Sequence, residues 1–153
     1  MNIENTTKLL TAYPRLYREL REFGFECGDG WFNLIWQLSA DIESAARIEG
    51  LTENTDAWPR IGAVKPKMGD LRVQFSTPVN DGIRDLVDKA RERSNEICEL
   101  CEATCTKRPE TVRNSWVESI CDSCRTRHRS QLRPRDKTPK RPVWKMERNN
   151  RTK

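Results

Sequence analysis

Near the N-terminus, Leu9, Leu10, Tyr13, Leu16, Tyr17 and Leu20 recur at helical spacing, and Arg15, Arg18, Glu19, Arg21 and Glu22 fill the other positions. That pattern predicts an amphipathic helix over residues 5–23, with Pro14 offering an alternative start because proline suits a first turn. Gly24, Gly28 and Gly30 then punctuate the chain, and Asp29 is placed to cap a second helix whose apolar stripe is Trp31, Ile35, Leu38, Ile42 and Ala45 or Ala46. The two are expected to fold back as a helical hairpin. Residues 50–59 read as loop. Ile61–Lys67 and Leu71–Ser76 read as short strands around a turn at Met68–Asp70, the second alternating so that Leu71, Val73 and Phe75 share one face. From Asn80 or Asp81 a further helix presents Ile83, Leu86, Val87, Ala90 and Ile97, and it runs almost directly into a cysteine pair.

Cysteine spacing carries the chemistry. Cys98–Cys101 in CELC and Cys121–Cys124 in CDSC are separated by nineteen residues, a spacing typical of four-thiolate zinc sites. Two residues within a tight turn let both sulfurs of a pair reach one ion, and two pairs close a tetrahedron with Zn–S bonds of roughly 2.3 Å. The competing reading is a disulfide or redox dithiol. The N-terminus lacks the basic, apolar and small-residue pattern of a secretory signal, so a cytoplasmic location is expected, in which thiols stay reduced and metal is favoured. Cys105 and His128 each lie four residues beyond a cysteine and are alternative ligands; the plainer readings are a loop residue and a cation on a basic helix. Cys27 reads as a core or loop thiol. Thr111–Arg113 and Trp116–Ile120 suggest short strands between the pairs, and CDSCRTRHRSQL the start of a helix. Knuckle, hairpin and helix in that order make a treble clef; a zinc ribbon is the alternative.

Charge divides the chain. Residues 1–124 hold 16 Lys and Arg against 21 Asp and Glu, whereas residues 125–153 hold 12 against 2, so balances of −5 and +10 make up the net +5. The tail contains Pro134, Pro139 and Pro142 and few apolar residues besides Leu132, Val143, Trp144 and Met146, a composition that predicts disorder. Basic arms of this kind bind nucleic acid by neutralising phosphates, and Arg125, Arg127, Arg129, Arg133, Arg135, Lys137, Lys140 and Arg141 are the candidate contacts. The plain alternative is a solvated tail. With a hydrophobic fraction of 35%, the core is expected to be small, and the metal to supply part of the folding free energy. The expected class is α+β, divided into a body at residues 1–96, a four-cysteine zinc module at 97–130 and a disordered tail at 131–153.

The runs YPRLYRELREFGFECGDGWFNLI and IGAVKPKMGDLRVQF, with CELC and ICDSC, resemble a group of small proteins encoded by bacteriophages and bacterial genomes. In that group a Glu-Cys-Gly-Asp-Gly-Trp motif, here Glu26–Trp31, precedes a Val-Lys-x-Lys-x-Gly-x-Leu-Arg segment, here Val64–Arg72, and a cysteine-rich end. The resemblance covers roughly residues 13–124. It implies a phage or prophage setting and a zinc-bearing end, and no reaction.

No catalytic constellation stands out. Glu26, Asp29 and Asp41 are residue types that turns and caps use anyway. His128 follows the second cysteine pair, where a His-Asn-His nuclease does not place its base, and no phosphate-binding glycine loop or run of about twenty apolar residues is present. The expected function is therefore non-catalytic binding of nucleic acid, with no membrane and no small-molecule substrate. The alternative is an accessory factor that engages a host protein, RNA polymerase or a defence component, through exposed aromatics such as Trp36 and Trp58.

Overall fold

The computed structural model describes residues 1–105 and 119–131, with side chains described through Arg127. Among these residues the fold is α+β, with four α-helices and a two-stranded antiparallel sheet. Helix α1 spans Ile3–Ala12, α2 Phe32–Ile48, α3 Asp81–Ser94 and α4 Asp122–Gln131, while β1 is Ile61–Lys67 and β2 is Asp70–Phe75.

The long N-terminal helix read from periodicity divides in two. Asn2 caps α1, its side chain accepting the Asn5 amide at 2.8 Å, and α1 stops at Ala12 because a proline disfavours helical geometry in the residue before it; Tyr13 has φ −126° and ψ 58°. Pro14 thus ends a helix instead of starting one. The chain resumes as a 3₁₀ turn over Arg18–Arg21, which keeps Leu16, Tyr17 and Leu20 buried. Asp29 also departs from its expected role. It lies in a 3₁₀ turn preceding α2, and its Oδ1 accepts from the Asn2 amide at 2.8 Å and the Asn5 side chain at 3.1 Å. Its negative charge therefore sits at the N-terminus of α1, where the helix dipole favours it.

The expected hairpin of the first two helices is replaced by a different pair, since α2 packs chiefly on α3. The N-terminal segment meets α2 through Tyr13 and Tyr17. Tyr13 stands edge-on to Trp36 with centroids 5.3 Å apart, and the Tyr17 hydroxyl meets Ser39 Oγ at 2.6 Å.

The strand pair forms as the alternation predicts, with Lys67 opposite Asp70 and a two-residue turn at Met68 and Gly69, φ 55° and 76°. Two positive φ values in a two-residue hairpin loop match the right-handed twist of the strands. Leu71 is buried, as are Ile61 and Val64, whereas Val73 and Phe75 are only partly covered. Asn80 caps α3 by accepting the Ile83 amide at 2.8 Å. Near its other end, Ser94 Oγ accepts the Leu71 amide at 3.0 Å and donates to the Arg91 carbonyl at 2.6 Å, fastening β2 to α3.

Trp58 is a core residue, 1% exposed, not the surface aromatic that the sequence suggested; Trp36 is 37% exposed. Cys27 is in the core at 3%. The strands expected at Thr111–Arg113 and Trp116–Ile120 lie outside the described residues apart from Ser119 and Ile120, and the expected disordered tail lies wholly outside them. Among the described residues no helix is long and apolar enough to cross a membrane.

Candidate metal centre

The cysteine pairs are held by two different local devices. In the first, the chain turns back on itself: the Cys98 amide donates to the Ala103 carbonyl at 2.8 Å and the Glu102 amide to the Cys98 carbonyl at 2.9 Å. Ile97 and Thr104 bridge across the base of this knuckle. Glu102 adopts φ 64°, a left-handed conformation that costs a residue with a side chain about 1–2 kcal/mol. Its carboxylate is held by Asn33, whose side-chain amide reaches both oxygens at 2.9 Å. In the second pair, Cys121 directly precedes α4 and Cys124 lies in its first turn.

These devices bring all four sulfurs within 4.8 Å of one another. Cys101 Sγ and Cys121 Sγ are 3.6 Å apart, against roughly 3.8 Å between sulfurs bonded tetrahedrally to one ion at about 2.3 Å. Cys98 and Cys124 are buried, Cys121 is half-buried and Cys101 is exposed. Cys105 is outside the cluster, its amide bound to the Glu96 carbonyl at 2.8 Å, and the His128 side chain lies outside the described residues.

The sulfurs also receive hydrogen bonds suited to thiolates. The Cys121 amide donates to Cys98 Sγ at 3.3 Å, and the Arg127 guanidinium to Cys124 Sγ at 3.7 Å. The Cys124 amide, in the first turn of α4, donates to Cys121 and lowers that thiol below its ordinary range, as helix N-termini do. The adjacent Cys101 thiol, followed by burial, pushes Cys124 the other way. Four sulfurs this close cannot all carry charge unaided. A cation held among them would remove that conflict, with release of the remaining protons.

A helix that runs almost directly into the first pair implies a unit docked on the body, as is found; the glycine seat that receives the knuckle is what the sequence does not announce. A Cβ on Gly30 would overlap the Cys98 carbonyl oxygen, and one on Gly28 the Glu99 carbonyl oxygen. Instead the Gly30 amide donates to the Glu99 carbonyl at 2.8 Å, and the Gly28 amide to the Glu99 carboxylate at 3.0 Å. Trp31 Nε1 donates to the Ile97 carbonyl at 3.3 Å. The second pair is tied on as well: the Glu99 amide donates to the Ser119 carbonyl at 2.7 Å, and Ser119 Oγ to the Gly69 carbonyl at 2.7 Å. The signal was present in the Glu-Cys-Gly-Asp-Gly-Trp motif, where the glycines read only as punctuation.

Of the candidate nucleic-acid contacts, Arg125 is half-buried and Arg127 exposed at the start of α4. The side chain of Arg129 and the whole of Arg133, Arg135, Lys137, Lys140 and Arg141 lie outside the described residues. No family model, curated protein or solved structure matches this chain.

Proposed function

We propose that this chain is a zinc-stabilised, non-catalytic binding protein of the bacteriophage kind, contacting nucleic acid through the arm that begins in α4. One observation carries the reading: the convergent cysteines sit at the N-terminal end of α4, from which the arginine-rich segment departs. Zinc, when bound by Cys98, Cys101, Cys121 and Cys124, supplies cross-linking and no open coordination position for water. A second pair that opens a helix is the treble-clef arrangement, in preference to a ribbon. Residues 125–153, with 12 cationic side chains against 2 anionic ones, then supply phosphate neutralisation, through Arg125, Arg127, Arg129, Arg133, Arg135, Lys137, Lys140 and Arg141. Phosphate contacts of this kind give affinity without base readout.

The alternative of an accessory factor binding a host protein has weaker support, because one of its two proposed aromatic anchors, Trp58, is buried. The test joins metal analysis to gel shift. Zinc near one per chain is expected, lost together with cooperative unfolding in Cys98→Ser or Cys121→Ser. Binding to DNA or RNA should fall steeply with salt and weaken on truncation after Ser130. A metal-free folded protein, or no binding at low salt with the arm intact, overturns the reading.

A further inference from the structure

Away from the cysteines, a cleft of about 520 Å³ lies between the 3₁₀ segment and the loop before β1. Arg15, Arg18 and Arg21 form one side. Their spacing of three matches the period of a 3₁₀ turn, which stacks such positions on one face, and the Arg18 amide accordingly bonds the Arg15 carbonyl. Leu16, Tyr17 and Leu20 point the intervening positions into the core, so burial of the apolar residues itself turns the three arginines outward together. Within the described residues none of the three forms an ion pair or side-chain hydrogen bond, although paired arginines occur elsewhere on the surface.

The opposite wall is made by Glu53, Asn54, Thr55, Asp56, Trp58 and Arg60. Its two carboxylates are already engaged, Glu53 by Arg47 at 3.0 Å and Asp56 by Arg60 at 3.3 Å. One donor in this wall is not. Among the described residues, three buried side-chain nitrogen or oxygen atoms lack a hydrogen-bond partner, and two of them are in this wall: Arg60 Nε, which has the Glu19 carboxylate 4.0 Å away as an ion-pair partner, and Trp58 Nε1, which has none. A buried donor without an acceptor costs about 1–3 kcal/mol. One such donor, in a cleft bordered by three arginines that have no ion-pair partner, sets an unmet N–H beside uncompensated positive charge.

We propose that this cleft binds a phosphoryl group, with Arg15, Arg18 and Arg21 attracting it and Trp58 Nε1 donating to one of its oxygens. Phosphate oxygens suit planar guanidinium forks, which can engage them with paired hydrogen bonds. The unpartnered indole N–H is not exposed, so its engagement requires a side-chain rotation in the wall, and Trp58 reports that event directly. The same chemistry is presented by a free phosphate and by a nucleic-acid backbone. The site is separate from the basic arm and stands whether or not the arm binds.

The experiment uses the full chain labelled with nitrogen-15, with the Trp58 indole N–H resonance assigned by Trp58→Phe. Inorganic phosphate and a short single-stranded oligothymidylate are titrated separately. A saturable shift of the Trp58 resonance is expected. Movement with phosphate alone identifies a free phosphoryl ligand, and movement with the oligonucleotide only identifies a backbone phosphate; either supports the site. In the triple variant Arg15→Gln, Arg18→Gln, Arg21→Gln, half-saturation should rise about tenfold or more. These side chains are exposed, and Arg18→Gln alone serves as a milder variant with a smaller rise. A Trp58 resonance that neither probe moves, or a shift undiminished in both variants, overturns the inference. Loss of gel shift on neutralising Arg133, Arg135, Lys137, Lys140 and Arg141 concerns the arm alone and leaves the Trp58 response in place.

Discussion

A methyl group on Gly30 would overlap the Cys98 carbonyl oxygen and crowd the amide nitrogens of Cys101 and Glu102. These are backbone atoms of the knuckle, so relief requires the knuckle to move. Gly30→Ala is expected to destabilise the protein by about 2 kcal/mol or more and to reduce bound metal, measured by urea unfolding and metal analysis. Cys27 makes a second residue-level prediction. Burial pushes its thiol from 9.0 up to about 12, so folding favours the protonated form. That contribution is fully present below the unfolded thiol pKa and is lost as pH rises through the folded value. Stability should therefore fall between about pH 9 and 12, and Cys27→Ala should flatten the decline in unfolding measurements across that window. The cysteine cluster was legible from spacing because two residues between sulfurs constrain geometry locally. The glycines were legible only as turn formers, since their partner Glu99 is far along the chain.

At the scale of elements, caps and breakers explain both success and failure. Asn80 was one of two candidate starts for α3, and its side chain does hold the Ile83 amide. Asn80→Ala is expected to cost about 1 kcal/mol, seen as a lowered urea midpoint with unchanged slope. The β1–β2 hairpin was also legible, because alternation and a Met68-Gly69 turn are local instructions. The N-terminal helix was not. Apolar residues from Leu9 to Leu20 keep helical spacing through both α1 and the 3₁₀ turn, so periodicity alone could not show that Pro14 separates them. Asp29 was misassigned for a related reason: a side chain suited to capping can serve a helix start brought to it through space.

At the scale of the molecule, the cysteine unit is seated on the body through Gly28, Gly30, Trp31, Asn33 and Ser119. Removing metal should therefore be felt beyond the cluster. Chelation is expected to lower the thermal midpoint by about 5 °C or more and to change the fluorescence of Trp31, whose indole donates to Ile97. Trp31→Phe should remove the fluorescence response. A freely tethered module would leave both readings unaltered. By itself the sequence determined the α+β class, the strand pair, the start of α3, the four cysteines and the separation of acidic from basic charge. Each of these is written in neighbouring residues, as a period, a cap, a spacing or a composition. Tertiary structure alone decided that α2 pairs with α3, that Trp58 is buried, that two glycines admit the knuckle backbone, and that three arginines border a cleft holding an unpartnered indole N–H. Those outcomes depend on which distant surfaces exclude water together, and local pattern does not encode that choice.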